Sequence, residues 1–287
     1  MNVKDLIKQI PYTVAIYRKV ARLIRGRSNK DILTQLENNS HRQGRQIWEA
    51  VMSLNRGLSR SDQHWIDRIE FEREYLLKRD ELLNDGSLGE AGLYDDSVSI
   101  KDACLVSKPP KPAFLLFLLT RVMRPKNVIE LGTNVGISSA YMGVGLKASG
   151  QNGRIISLDA SPYRQRVARE VHQNLGVDNI SYVEGLFTHT LHPALAKLGS
   201  IDLAFIDGHH QYQSTLDYFE EILKFSTPNT VFVFDDIRWS DGMKKAWARI
   251  KSDDRLDLIV DLSSIGVCTR RQQESSQRFV SAPIYVL

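Results

Sequence analysis

The chain has 287 residues, of which 42% are hydrophobic and 25% are charged, an ordinary composition for a globular protein. A net charge of +4 is too small to indicate nucleic-acid binding, and the longest apolar run, residues 113–119, is too short to span a bilayer. Cys104 and Cys268 do not lie in a CxxC pair and cannot form a disulfide framework, so the expected location is the reducing cytoplasm.

Residues 1–85 are predicted to form a helical N-terminal extension that caps the rest of the chain. Apolar residues recur at three- and four-residue spacing over 3–25, with basic residues between them. This pattern favours a helix that packs on its own domain or across a dimer, and we expect a homodimer through the N-terminal helices. A basic helix that binds a membrane surface or a partner is the alternative. Further helices are predicted over 30–56 and 61–84, the second opening with Ser61 and Asp62 as N-cap residues.

The composition changes at residues 86–111, which are rich in Gly, Ser and Pro and are predicted to be a linker or lid loop. Residues 112–272 then alternate short apolar strands with helices, which predicts a doubly wound α/β domain with a mostly parallel sheet. Segments 256–262 and 267–271 are expected to add an antiparallel hairpin. The tail, 273–287, is left without a predicted structure.

Each of the five predicted parallel strands ends near an acidic residue. Ligands of such sheets bind at the carboxyl ends of the strands, so these acids should share one edge. The acids are Glu130, Asp159, Glu184, Asp207 and the pair Asp235-Asp236. Surface solvation explains this regularity poorly, because the residues that precede each acid are of buried types.

The glycine turn after the first strand predicts a ligand that contains a ribose and carries a positive charge. Asp159 follows Gly136 by 23 residues, at the end of the second strand, where an acid accepts hydrogen bonds from ribose hydroxyls. The segment from Gly132 to Gly136 lacks the GxGxxG order of dinucleotide sites. Glu130 would repel a pyrophosphate and suit an ammonium or sulfonium group. Charge therefore favours S-adenosylmethionine over NAD.

Residues 125–271 resemble a class I S-adenosylmethionine-dependent methyltransferase, within the small-molecule O-methyltransferases related to the catechol and macrolide-sugar enzymes. Five stretches carry the resemblance: 128–138, 156–159, 182–185, 201–212 and 231–237. The resemblance implies a Rossmann-like seven-stranded sheet with an antiparallel last strand, and a helical N-terminal extension outside the matching region.

The resemblance also implies a set of residues that bind S-adenosylmethionine. The methionine part would be bound by the glycine loop, the ribose by the end of the second strand, and the adenine by the end of the third. The residues are Glu130, Gly132, Thr133, Asn134, Gly136, Ser138, Asp159, Ala160, Gly185, Leu186 and Asp207.

A metal site and a general base are further implications of the resemblance. In the subgroup, acids after the fourth and fifth strands bind Mg²⁺, and here these positions are Asp207, Asp235 and Asp236. Asp236 replaces the Asn of the catechol-type enzymes. His210 would remove the proton of the acceptor hydroxyl, with Asp207 beside it and His209 as the alternative.

The predicted function is methyl transfer to a hydroxyl of a small molecule in secondary metabolism or natural product biosynthesis. Neither nucleic acid nor a membrane span is expected. The alternatives are an N-methyltransferase on the same fold, an NAD- or nucleotide-dependent enzyme, and a catalytically silent cofactor-binding scaffold. Tyr212, Arg238 and Trp239 follow strand ends and are candidates for the acceptor pocket.

Overall fold

One large sheet with helices on both faces makes up the fold. The computed structural model describes residues 29–39, 41–56, 58–85, 97–271, 278–281 and 283–284. The helix predicted over 3–25 lies outside these residues. The helices are α1 (29–37), α2 (Arg42–Arg56), α3 (Arg60–Leu76), α4 (Ile100–Leu105), α5 (Pro110–Met123), α6 (Ile137–Ala148), α7 (Pro162–Leu175), α8 (Phe187–Leu198), α9 (Tyr212–Lys224) and α10 (Asp241–Lys251).

The sheet contains eight strands, one more than predicted, in the order β3-β2-β1-β4-β5-β7-β6-β8. Their bounds are β1 (Asn127–Leu131), β2 (Arg154–Asp159), β3 (Ile180–Glu184), β4 (Ile201–Ile206), β5 (Ser226–Phe234), β6 (Leu256–Leu262), β7 (Ile265–Arg270) and β8 (Phe279–Val280). β7 pairs antiparallel with β5 and β6, as the predicted hairpin requires. The additional strand, β8, comes from the tail and pairs parallel with β6.

Local signals place most helix ends. α5 begins at Pro110, whose missing N–H costs nothing in a first turn, and ends where Arg124 adopts a left-handed conformation before Pro125. α3 begins one residue before the predicted start, because Ser59 is the N-cap and accepts from the Asp62 amide at 3.1 Å. The single helix predicted over 30–56 is divided into α1 and α2.

The N-terminal helices belong to the main hydrophobic core and are not a separate cap. Ile32, Leu36 and Ile47 pack in one cluster with strand residues such as Val128 on one face of the sheet. The opposite face is covered by α8, α9 and α10, and its core forms a second cluster. The predicted boundary near residue 86 therefore separates two stretches of sequence that share one core.

The predicted linker also differs from the observed structure, since it contains α4 and the start of α5. Ser99 Oγ accepts from the Asp102 amide at 3.1 Å, and the Asp102 carboxylate accepts from the Ser99 amide at 3.1 Å. This capping box stabilises α4, a helix of six residues that the composition of the segment did not predict.

Candidate active site

The loops that follow the parallel strands meet at one edge of the sheet, here called the C-terminal edge. The Asp207 amide donates to Leu131 O, and the Asp235 amide donates to Ile206 O, each at 3.0 Å. These bonds extend the pairing of β1, β4 and β5 beyond the ends of the strands. All the predicted site residues therefore lie on, or directly after, the last residues of β1 to β5.

Two glycines shape the loop between β1 and α6. Gly132 has φ +98°, and a Cβ there would collide with the carbonyl oxygen of Asp207. Gly136 has φ +85°, and a Cβ there would lie 2.7 Å from the Cβ of Ala168. Contacts inside the protein thus account for both glycines: the loop lies directly against β4 and α7.

Glu130 lies beneath this loop and is fully buried. Its carboxyl group accepts from Ser138 Oγ at 2.6 Å and from Ser157 Oγ at 2.5 Å, and Ser157 also bonds Thr133 Oγ1 at 2.6 Å. Burial raises the pKa of Glu130 to about 8, although the serine hydroxyls oppose the shift. The side chain is therefore mostly protonated at neutral pH. The hydrogen bonds of Glu130 hold the loop, and the predicted role of its negative charge towards a cationic ligand stays a prediction.

Asp159 is buried at the end of β2 and accepts two backbone amides. The Asn134 amide donates to Oδ2 at 2.8 Å and the Ser161 amide to Oδ1 at 2.9 Å. Burial raises the pKa of this carboxyl, and the two amides oppose the shift. Because each carboxylate oxygen has two lone pairs, each can accept one more donor. These free acceptor positions fit the two hydroxyls of a ribose, and Ala160, which follows Asp159, is half-buried.

The side chain of Asn134 binds the N-terminal part of the chain. Its Nδ2 donates to Ala103 O at 2.8 Å and to Ser107 Oγ at 3.2 Å, while its Oδ1 accepts from Arg164 at 3.2 Å. Arg164 also donates to buried Asp85 at 2.6 Å. The sequence does not predict the pairing of Asp85 with Arg164, since neither residue lies in a motif.

The residues predicted to flank the adenine, Gly185 and Leu186, follow the end of β3. Gly185 has φ +131°, and its amide donates to Asp159 O at 3.0 Å. Leu186 is the N-cap of α8 and is half-buried. The Gly185 backbone thus lies beside Asp159, and the role of Gly185 and Leu186 at the adenine stays a prediction.

The structure brings together Asp207, His210 and Asp236. His210 Nε2 lies 3.4 Å from Asp207 Oδ1 and 4.0 Å from Asp236 Oδ2. Each of these residues offers one ligand atom, and the three atoms lie within 4.8 Å of one another, the only group of this kind among the described residues. Burial raises the pKa of Asp207, and the nearby ammonium of Lys108 is the largest influence in the other direction.

Asp235 does not join this group, which corrects the predicted set of metal ligands. Its carboxylate is 1% exposed and contacts the ammonium of buried Lys108 through Oδ2. The remaining group offers two carboxylates and one imidazole nitrogen, whereas Mg²⁺ prefers oxygen ligands throughout. The predicted all-carboxylate Mg²⁺ site, Asp207, Asp235 and Asp236, therefore does not fit the observed geometry.

The other histidine of the pair has a packing role. His209 Nδ1 bonds Tyr218 Oη at 2.5 Å, and the two rings stack with centroids 6.1 Å apart. Both His209 and His210 have positive φ, as does Asp236. Such backbone strain in residues other than glycine is concentrated at functional sites in proteins. Here it turns the side chain of His210 towards Asp207 and Asp236.

Aromatic side chains flank this group on the solvent side. Trp239 is 76% exposed and Tyr212 is 40% exposed, so a role of Trp239 in core packing is excluded. Arg238 forms two parallel hydrogen bonds to Asp261, at 2.8 and 2.9 Å. Of the three predicted pocket residues, Tyr212 and Trp239 remain available to an acceptor, whereas Arg238 stabilises the end of β6.

Two cavities lie away from the C-terminal edge. One, of about 420 Å³, lies between α8 and α9, and the other, of about 550 Å³, lies at the opposite edge of the sheet near Arg42 and Arg124.

No helix among the described residues is both long enough and apolar enough to cross a membrane.

Comparison with known proteins agrees with this architecture. A family model described as a methyltransferase domain matches residues 129–237. A catechol O-methyltransferase of Niastella koreensis is 29% identical over 187 residues, which cover 64% of this chain and 76% of the relative. A catechol O-methyltransferase of Mycobacterium tuberculosis is 32% identical over 129 residues, covering 45% of this chain and 56% of the relative. The chain thus spans little more than half of the second relative.

Solved structures show the same fold. An SAH-bound methyltransferase of Podospora anserina superposes with a TM-score of 0.53 at 17% identity, covering 85% of this chain and 95% of that one. An O-methyltransferase of Bacillus cereus in complex with SAH gives a TM-score of 0.50 at 23% identity, covering 69% of this chain and all of the other. The matching methyltransferase domain, the curated relatives and the fold together support a class I S-adenosylmethionine-dependent O-methyltransferase.

Proposed function

We propose that the chain transfers the methyl group of S-adenosylmethionine to a hydroxyl of a small aromatic molecule, with His210 as the proton acceptor. The observation that supports this most directly is the position of His210 Nε2, within 4.0 Å of two carboxylates at the C-terminal edge. An imidazole that an acceptor hydroxyl can reach is able to take up the hydroxyl proton as a general base.

The cofactor is proposed to lie across the ends of β1, β2 and β3. Asp159 would accept the ribose hydroxyls with the lone pairs that the two amides leave free. Gly185 and Leu186 would flank the adenine. The methionine part would lie on the glycine loop at the N-terminus of α6. No side chain caps that helix, so its first amides can donate to the carboxylate of the methionine.

The remaining predicted residues of the loop are proposed to act by position. Thr133 and Ser138 bond Ser157 and Glu130 inside the loop, and Asn134 binds the segment around α4. These side chains would fix the backbone amides that face the cofactor, which is how preorganised dipoles assist binding.

In the proposed reaction, S-adenosylmethionine supplies an electrophilic methyl group on a positively charged sulfur. His210 Nε2 lies near Asp207 and Asp236, so Nδ1 is the nitrogen proposed to act as the base. It would accept the proton of the acceptor hydroxyl when the methyl group is transferred to the hydroxyl oxygen. Most of the rate comes from the alignment of oxygen, methyl carbon and sulfur, which the loops of the C-terminal edge impose.

An aromatic acceptor is proposed because of the two exposed rings at the mouth of the site. Trp239 follows Asp236 by three residues, its amide donates to Asp236 O at 2.9 Å, and its side chain is 76% exposed. Exposed aromatic faces offer stacking surface for a planar ligand. Two curated relatives bear the name catechol O-methyltransferase, which supports the same class of acceptor.

The cofactor part of the proposal is tested by calorimetry with S-adenosylmethionine, SAH and NAD. We expect binding of the first two and none of NAD. Asp159→Asn should weaken SAH binding about 100-fold, because hydrogen bonds to a charged group contribute about 1.5–3 kcal/mol each. Asp254→Asn, at an exposed position after α10, is the matched control. Equal SAH affinity of the wild type and Asp159→Asn would remove Asp159 from the cofactor site.

The catalytic part is tested with a panel of phenols, sugars, polyketides and amines. We expect turnover of phenols, and His210→Gln should lower kcat about 10²–10⁴-fold, as loss of a general base does, with SAH affinity unchanged. His192→Gln, at an exposed position on α8, is the control. Preferred turnover of amines would indicate N-methylation instead. Binding of SAH without turnover of any acceptor would favour a scaffold.

Three predictions from the sequence extend this proposal: a role in secondary metabolism, a homodimer through the N-terminal helices, and a cytoplasmic location. The dimer is tested by sedimentation of the full chain. Genes neighbouring this one would indicate whether it belongs to a biosynthetic pathway.

A further inference from the structure

Lys108 lies in residues 86–111, the segment predicted to be a linker or lid loop, and its side chain reaches the C-terminal edge. Its side chain is 7% exposed, and its carbonyl accepts from Arg73 Nη2 at 2.9 Å. Arg73 is itself buried on α3 and forms an ion pair with Glu70 at 3.0 Å. Pro109 follows directly, and its fixed φ further limits the backbone. The direction of the Lys108 side chain is therefore set by the fold.

The ammonium of Lys108 acts on two acidic side chains. It contacts Asp235 Oδ2, and its charge lowers the pKa of Asp207 more than any other group does. Asp235 Oδ1 accepts no hydrogen bond from the described part of the chain. Asp236 follows Asp235 directly and lies within reach of His210.

Carboxylates in such a position need a cation. Burying an ionised carboxylate without a partner is strongly unfavourable, and a positive charge at short range offsets that cost. An ammonium or a divalent metal ion can supply it, but the two repel each other when they are only a few ångströms apart. In this chain the ammonium is tethered to the same edge, so a metal ion would have to displace it.

We propose that the ammonium of Lys108 is the resident cation of the C-terminal edge and takes the place of a divalent metal ion. Lys108 binds the Asp235 carboxylate and keeps it out of the group of Asp207, His210 and Asp236. His210 consequently remains a free imidazole instead of a metal ligand. Lys108 is thus a positioning residue for the reaction, and this inference rests on the location of the site in the proposed function.

Titration with Mn²⁺, followed by electron paramagnetic resonance on the SAH-bound protein, tests the proposal. The wild type should show no saturable binding up to about 1 mM Mn²⁺, the range of weak sites. Lys108→Met removes the ammonium with little change in volume and should create one Mn²⁺ site, with affinity at least tenfold higher. Lys111→Met is the matched control, because Lys111 is an exposed lysine three residues further along and should leave the titration unchanged.

Tight binding of one Mn²⁺ by the wild type, abolished by Asp236→Asn, would overturn the proposal even if Lys108→Met failed to fold. Equal Mn²⁺ binding by the wild type and a folded Lys108→Met would also overturn it. A thermal shift upon addition of Mn²⁺ to Lys108→Met, absent from the wild type, would support it independently. Since none of these readouts requires an acceptor, failure here is distinct from failure of the proposed methyl transfer.

Discussion

Glu130 shows, at the scale of single residues, how burial changes the meaning of a side chain. A carboxylate next to a glycine turn predicts an anionic pocket, but both oxygens of Glu130 are hydrogen-bonded to serines and the group is fully buried. Desolvation then raises its pKa to about 8. The consequence is a pH dependence of stability that the sequence did not predict.

The wild type should lose stability as the pH rises from about 4.5 to about 8, and Glu130→Gln should remove part of that loss. Between the ordinary carboxyl pKa of 4.5 and about 8, the folded state holds a proton that the unfolded state has released. Stability therefore falls as pH rises through this window, by at most about 1.4 kcal/mol per unit. Urea denaturation without cofactor at pH 5, 6.5 and 8.5 should show the variant gaining on the wild type with each step. A difference that does not vary with pH would contradict the assignment.

Trp239→Ala tests the aromatic rim. Stacking of a ring on an aromatic acceptor contributes about 0.5–1.5 kcal/mol, so KM for a phenolic acceptor should rise about two- to tenfold. The kcat and the SAH affinity should change less than twofold, because Trp239 touches neither His210 nor the glycine loop in the proposed arrangement. Phe71→Ala, equally exposed on α3, serves as the control. An unchanged KM would remove Trp239 from the acceptor site.

At the scale of elements, α4 links the N-terminal helices to the glycine loop. It has six residues, and its capping box compensates for its short length. The carbonyl of Ala103 at its C-terminal half accepts from Asn134, and Lys108 lies three residues beyond its end. A helix of this length is invisible to periodicity, which explains why the sequence predicted only a loop.

Loss of the cap should therefore affect both stability and cofactor binding. Ser99→Ala is expected to cost about 1 kcal/mol of stability, a typical value for an N-cap. SAH affinity should fall severalfold because Asn134 loses a fixed partner. Ser99→Thr retains the hydroxyl and should behave as the wild type in calorimetry and denaturation. If Ser99→Ala lost stability but kept full SAH affinity, α4 would not support the loop.

At the scale of the whole molecule, both faces of the sheet depend on helices from distant parts of the sequence. Residues of α1 and α2 pack in the same core as β1, β2, β4 and β5. Arg79 also forms an ion pair with Glu170 on α7, at 2.9 Å. The N-terminal segment should therefore unfold together with the sheet.

Ile47→Ala tests this cooperativity. Ile47 is fully buried on α2, so its truncation should cost about 2–5 kcal/mol and lower the midpoint of the whole unfolding transition. Circular dichroism and tryptophan fluorescence should report one coincident transition. A separate early transition of the helices, with the sheet retaining its wild-type midpoint, would show instead an independent cap.

The sequence by itself predicted the alternation of strands and helices over residues 125–271, the resemblance to the methyltransferases and the edge where the acidic residues meet. These follow from local properties: apolar runs of strand length, helix stop signals, and acids directly after strands. Parallel pairing then brings Asp159, Asp207 and Asp236 to one edge without further information.

Only the tertiary structure decided which of those side chains act together. Asp235 and Asp236 are neighbours in sequence, yet Asp235 contacts Lys108 whereas Asp236 faces His210. The arrangement depends on a lysine about 130 residues away, held by Arg73 from a third segment. The raised pKa of Glu130 and the packing of the N-terminal helices in the main core also depend on contacts between distant segments. Burial and long-range contacts arise from the packing of distant segments, and no local pattern encodes them.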